Sequence, residues 1–181
     1  MEDPLTFSAF AGDRRVVSGA LEATLLAVKE RFDGDPSEPV LIFEDQTGRQ
    51  VDFDLRGAPE EVVARARPEP ARTGPGRPKL GVISREISLL PRHWEWLELQ
   101  PSGASAALRR LVDEARKRDP EGDRKRLAIE AASRFMTAMA GDRRNFEEAS
   151  RALFAKESER FAALIAEWPA DIRDHLARLL R

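Results

Sequence analysis

The chain has 181 residues, 41% hydrophobic and 34% charged, with 30 Lys/Arg against 32 Asp/Glu for a formal net charge of −2. A chain of this length buries roughly 70% of its unfolded surface, enough for one core or two small ones without covalent staples. Cysteine and tyrosine are absent and imidazole is supplied by His93 and His175 alone, which excludes disulfides, thiolate catalysis and sulfur-ligated zinc.

Residues 1–66 read as a small acidic α/β unit. "LTFSAF" and "RRVVSG" are β-rich runs joined by "AGD", a hairpin signal. "ALEATLLAVKERF" is an amphipathic helix with Leu21, Leu25, Val28 and Phe32 at helical spacing. "PVLIFED" and "RQVDFDL" read as two strands about the turn "QTG", and "APEEVVARAR" is a short helix opened by Pro59. The order ββαββα resembles a β-grasp-like arrangement.

Residues 67–81 form a basic linker rich in proline and glycine, with Pro68, Pro70, Pro75 and Pro78 preventing a packed element. Residues 82–118 follow as a separate module. "VISREISLL" (82–90) alternates as one strand with no neighbouring strand in the same module, so its backbone groups need a partner, and the same strand of a second copy supplies one. Pro91 ends the strand and opens a helix with Leu90, Trp94 and Leu97 on one face. "QPSGAS" breaks that helix, Ser105 caps the next, and Leu108, Leu111, Val112 and Ala115 make its apolar stripe. Trp94 is expected in the core, while Trp96 lies about 200° further round the helix, at about 100° per residue, and faces elsewhere.

Residues 119–181 read as a helical C-terminal region, a hairpin or small bundle. "DRKRLAIEAASRFMTAMA" is one helix, "NFEEASRALFAKESERFAALIAEW" a second opened by a capping box at Asn145 and Glu148, and "PADIRDHLARLLR" a third behind Pro169. The expected class is therefore α+β, in four segments.

The small net charge hides a partition. Residues 1–64 carry 6 basic against 14 acidic side chains, residues 65–126 carry 15 against 9, and residues 127–181 carry 9 of each. The middle third is where an anionic partner would be held. No apolar run reaches the roughly 18 residues of a membrane span and no export pattern is present, so no membrane association is expected and the cytoplasm is the expected compartment.

Other groupings have a functional and a structural reading side by side. Glu44, Asp45, Asp52 and Asp54 on adjoining strands suit a hard cation or a solvated acidic face. His93 suits a phosphate contact or a surface position. Nothing resembling a catalytic motif surrounds either histidine, and no metal or cofactor is expected.

The order of strand, proline-opened helix, Gly-containing turn and second helix, carried by "ISLLPRHWEWL" and "SGASAALRRLVDEA", resembles the ribbon-helix-helix family of DNA-binding proteins. That resemblance implies an intertwined homodimer whose paired strands enter the major groove, with the second helix N-terminus near Ala104 and Ser105 clamping a phosphate. At the alternate strand positions Leu89, Ile87 and Arg85, Arg85 alone has a base-reading side chain. "PGRPK" (75–79) is similar to the Gly-Arg-Pro core of an AT-hook, which implies minor-groove contact by Arg77 and Lys79; read by itself it is a solvated linker. The DNA-binding set expected is thus Arg77, Lys79, Arg85, Ser105, Arg109 and Arg110, in a homodimeric DNA-binding protein of the transcription-regulator type. The alternative is a protein-interaction or assembly module without DNA binding, in which the acidic N-terminal unit docks a protein partner.

The whole chain also resembles a bacterial family catalogued only as domain of unknown function 2239, through "LIFEDQTGRQVDFDLRG", "GRPKLGVISREISLLPRHWEWL", "GASAALRRLVDEAR" and "NFEEASRALFA". That resemblance implies no function.

Overall fold

In the computed structural model, residues 5–67 and 85–181 are described. Arg77 and Lys79 lie outside them. The described residues carry four strands and eight helices, a mixed α+β chain: β1 (Thr6–Ala11), β2 (Arg14–Ala20), α1 (Leu21–Gly34), β3 (Val40–Glu44), β4 (Arg49–Val51), α2 (Pro59–Ala66), α3 (Pro91–Glu98), α4 (Gly103–Arg118), α5 (Pro120–Ala140), α6 (Phe146–Phe154), α7 (Ser158–Leu164) and α8 (Ala170–Leu179). They fall into two compact units, one of residues 5–67 with 124–181 and the other of residues 85–123.

In the larger unit the sheet has the order β2-β1-β3-β4. Each neighbouring pair is antiparallel, so the parallel pair that a β-grasp-like arrangement implies is not formed. Strand β1 is buried along five of its six residues, because helices cover both faces of the sheet. The strand period of two sends Phe7 and Ala9, with Ile42 of β3, to one face against Val28 of α1. Phe10 and Phe43 go to the other, where they meet Phe135 and Met136 of α5 and Ile172 and Leu176 of α8.

Helices α1 and α2 close the first face through Leu25, Val62 and Val63. The amide of Ala58 donates to the Glu61 carboxylate at 3.0 Å, fixing the start of α2. The second face is the larger core. Its centre is aromatic, with Phe43 and Phe135 edge to face at 5.0 Å between centroids and Phe10 tilted on Phe135 at 5.2 Å. The C-terminal helices, read from the sequence as a region of their own, thus share one core with the N-terminal sheet.

Two glycines make this packing possible. Gly12, at φ 53°, turns β1 into β2. Gly48, at φ 64° in the β3–β4 turn, sits so close to α5 that a Cβ there would lie 1.9 Å from the Ala131 carbonyl oxygen.

The long helix expected over residues 145–168 is broken in two. Lys156 takes a left-handed φ of 60°, and its neighbours close the end of α6 by the bonds Lys156 N to Leu153 O and Glu157 N to Ala152 O, a Schellman closure. At the start of α6, Asn145 also has positive φ (65°) and makes no side-chain cap. Its side-chain amide donates instead to the Leu164 carbonyl at 3.3 Å, tying α6 to the end of α7. The break folds the apolar stripe back on itself, so Leu153, Phe161, Ile165 and Trp168 all reach the same core.

Candidate nucleic-acid interface

The smaller unit holds residues 85–90 and helices α3 and α4. Residues 85–90, expected within a strand, form neither strand nor helix and have no strand partner among the described residues. Pro91 opens α3 from an extended Leu90, as its fixed φ and missing N–H favour. Gln100 ends the helix and ties the corner: its side-chain amide donates to the Trp96 carbonyl at 3.2 Å, and its carbonyl oxygen Oε1 accepts from Arg110 at 3.4 Å. Helix α4 then starts one turn earlier than Ser105 would place it. Ser102, at φ 67°, is the residue before its first turn and makes no side-chain cap, so Ser105 stands as an exposed third residue of the helix.

At about 100° per residue, α4 has two opposed faces. Ala104, Ala107, Leu108, Leu111 and Ala115 lie on one, and Ala107 is buried there, as Leu97 is on α3. Arg109, Arg110, Arg116 and Lys117 lie on the other, around Asp113, all exposed. Arg110 pairs with Glu114 at 3.7 Å, both half exposed, a contact worth a few tenths of a kcal/mol at most. Arg109, Arg116 and Lys117 have no ion-pair partner among the described residues. Arg85, ahead of α3, is exposed in the same way.

Four of the six expected contact residues are therefore described, namely Arg85, Ser105, Arg109 and Arg110. All four are exposed in the one small unit, and helical spacing puts Ser105 and Arg109 one turn apart on α4. Trp94, expected in the core, is 37% exposed, and Trp96 is 48% exposed. His93 and Trp96 line a groove of about 450 Å3 with Leu89, Arg92, Leu97, Leu108 and Leu111.

A second polar grouping lies in the larger unit and has no local signature in the sequence. Ser8 of β1, Ser18 of β2, Asp45 just past β3, and His175 and Arg178 of α8 meet where α8 packs on the sheet. The Ser8 hydroxyl donates to Asp45 Oδ1 at 2.7 Å, and Arg178 Nη2 donates to Ser8 at 2.5 Å. Arg178 Nη1 donates to Ser18, and the Arg178–Asp45 ion pair closes at 3.4 Å.

His175 is fully buried, its ring 4.2 Å from that of Phe135 and 5.3 Å from that of Phe10. Arg178 Nη2 stands 2.9 Å from His175 Nδ1. A guanidinium only donates, so Nδ1 accepts and the proton resides on Nε2. Nε2 has no hydrogen-bond partner among the described residues and lies 3.8 Å from Asp45 Oδ1. Burial pushes the His175 pKa down to about 4; Asp45 opposes the shift, while Arg178 and Arg15 add to it. The histidine is thus a neutral wedge, and the Ser8 proton is directed to Asp45 instead of an imidazole base. The set fastens α8 to the sheet and has no nucleophile poised for attack.

Three of the four acidic side chains on the adjoining strands are spent on protein partners, and the fourth, Asp52, is exposed. Asp45 is held as above, Glu44 accepts from Thr47 at 3.0 Å, and Asp54 is paired with Arg56 at 2.9 Å. The Arg56 side chain and amide hold the Asp54 carboxyl at about 2. No cluster of three metal-ligating side chains occurs among the described residues. No described helix is long and apolar enough to cross a membrane.

The chain belongs to a bacterial family described as uncharacterised protein conserved in bacteria, DUF2239, whose model matches residues 6–180. No curated protein and no solved structure matches it.

Proposed function

We propose that this member of the uncharacterised bacterial family is a homodimeric DNA-binding protein whose small central unit, residues 85–118, contacts the phosphate backbone. The observation that carries the reading is the two-sided character of α4. Its outer face presents Arg109, Arg110, Arg116 and Lys117 exposed, with little internal charge pairing to be broken on binding, while its inner face is apolar. Such a stripe neutralises phosphates and releases counterions, the main source of affinity for DNA.

In the finer reading, residues 82–118 have a ribbon-helix-helix arrangement, residues 85–90 pair with the same segment of a second copy, and Arg85 reaches a base edge or phosphate. Arg77 and Lys79 of the linker add minor-groove contacts, and Ser105 with the first-turn amides of α4 holds one phosphate. Regulation of transcription in the cytoplasm is the biological role that fits.

A second reading is an assembly module without DNA binding, in which the acidic N-terminal unit docks a protein partner. It is favoured by Ile87, 49% exposed at a position where base reading needs a polar side chain.

The test is titration of duplex DNA with the wild-type chain and the Arg109→Ala/Arg110→Ala variant at several salt concentrations. The expected result is affinity that falls steeply with salt, and a variant whose log–log slope is shallower by about 1 for each phosphate it no longer neutralises. Equal affinity and slope for the two proteins, or no binding at low salt, refutes the DNA reading and leaves the assembly module.

A further inference from the structure

The groove between α3 and α4 has no part in the DNA contacts proposed above. Its apolar walls are Leu89, Trp96, Leu97, Leu108 and Leu111, of which Trp96 remains 48% and Leu111 38% exposed. Its volume of about 450 Å3 lies within the usual range of small-molecule sites, about 300–1,000 Å3.

The polar lining residues are Arg92 and His93, and no described carboxylate lines the groove. Neither side chain makes a hydrogen bond or ion pair among the described residues. Both stand in the first turn of α3, where the Arg92 amide has no backbone acceptor and the helix dipole adds positive potential.

We propose that this groove binds a small amphipathic anion, an aromatic or acyl acid whose apolar body lies on the five apolar walls and whose acid group is held by Arg92 and His93. The two halves of the lining select that chemistry together. Trp96 offers a ring to pack against, and a guanidinium presents paired donors in the geometry that an acid group accepts. A neutral apolar ligand, or the apolar side chains of another protein, would cover the Arg92 guanidinium and supply no counter-charge. An inorganic anion would gain nothing from the apolar walls. The groove opens on the apolar face of α4, opposite Arg109 and Arg110, so the proposal does not depend on the DNA reading.

The experiment is a fluorescence titration of the full chain, without DNA, with anilinonaphthalene sulfonate, an aromatic anion that brightens in apolar sites. Phenylnaphthylamine, the same ring systems without the acid, is titrated beside it. Wild type is compared with Arg92→Gln, at an exposed position, and with Leu111→Glu, which sets a carboxylate in the groove wall. Arg144→Gln, at a side chain of the larger unit that is 82% exposed, is the control, and circular dichroism verifies each fold.

The expected result is one sulfonate bound per wild-type chain with a Kd in the micromolar range, and phenylnaphthylamine about tenfold weaker or more. Arg92→Gln weakens the sulfonate about tenfold and leaves the neutral probe unchanged. Leu111→Glu weakens both probes, and the control matches wild type.

Absence of sulfonate binding overturns the proposal, as does an affinity unchanged in both Arg92→Gln and Leu111→Glu. Equal affinity for the two probes, with Arg92→Gln harmless, means a groove without an anion contact and overturns it too. Sedimentation of the same samples tests the rival occupant: sulfonate that binds only as a dimer dissociates marks the groove as a surface between copies and overturns the proposal. Arg109→Ala/Arg110→Ala keeps wild-type affinity for the sulfonate whatever its effect on DNA, so the two readings fail separately.

Discussion

Neutral, buried His175 makes the larger unit sensitive to mild acid in a calculable way. In the unfolded chain its pKa is near the ordinary 6.5, and in the fold burial lowers it to about 4. Above about pH 6.5 the ring is neutral in both states and its contribution is fully present. Between the two values the unfolded chain binds a proton that the folded chain refuses, so stability falls as pH falls, and below about 4 the loss levels off. From pH 7 to pH 5 the loss is about 2 kcal/mol.

The variant His175→Gln removes the titration and keeps an acceptor for Arg178. Urea denaturation followed through the buried Trp168 at pH 7 and pH 5 measures both proteins. Asp35, Glu38 and Asp54 have lowered carboxyl pKa values through their hydrogen bonds with Ser37, Arg31 and Arg56 respectively. They lose their contribution only in stronger acid and do so equally in both proteins. Wild type should lose about 2 kcal/mol more than the variant over that interval. Equal losses would refute a neutral, desolvated His175.

Two substitutions test the packing directly. Gly48→Ala places a Cβ against the Ala131 carbonyl at a residue with φ 64° and should cost more than about 2 kcal/mol, read as a lower urea midpoint with an unchanged slope; a midpoint equal to wild type would show that the turn does not press on α5. Phe135→Ala empties the centre shared by Phe10, Phe43 and His175 and should cost about 3–5 kcal/mol. A loss under about 1 kcal/mol by the same titration would mean that the sheet and the C-terminal helices do not share a core.

The local elements follow from patterns short enough to sit in one stretch of chain. Alternation in "TFSAFA" and "VLIFE" and the helical spacing of Leu25 and Val28 act over neighbouring residues, and they place strands and helices within a residue or two of those formed. The opposed faces of α4 follow in the same way, because a helix fixes which side chains share a face before it packs on anything. The break at Lys156 has no glycine or proline to announce it. It is imposed by the core, which requires Leu153 and Phe161 on the same side of one cluster. The start of α4 moved for a related reason, since the Gln100 carbonyl accepts the Gly103 amide at 3.1 Å and fixes the corner ahead of Ser105.

What the amino-acid sequence determined alone is therefore most of the inventory: the elements other than the strand expected at 82–90, which is not formed over residues 85–90, and the unbroken helix expected at 145–168, the acidic first third and basic middle third, and the exclusion of sulfur chemistry. The tertiary structure decided what those elements join. Ser8 and Arg178 are 170 positions apart and Asp45 and Arg178 133 apart, and no local pattern encodes a contact across such distances. The same holds for the shared core of sheet and C-terminal helices, because burial is a property of the partner surface as much as of the residue.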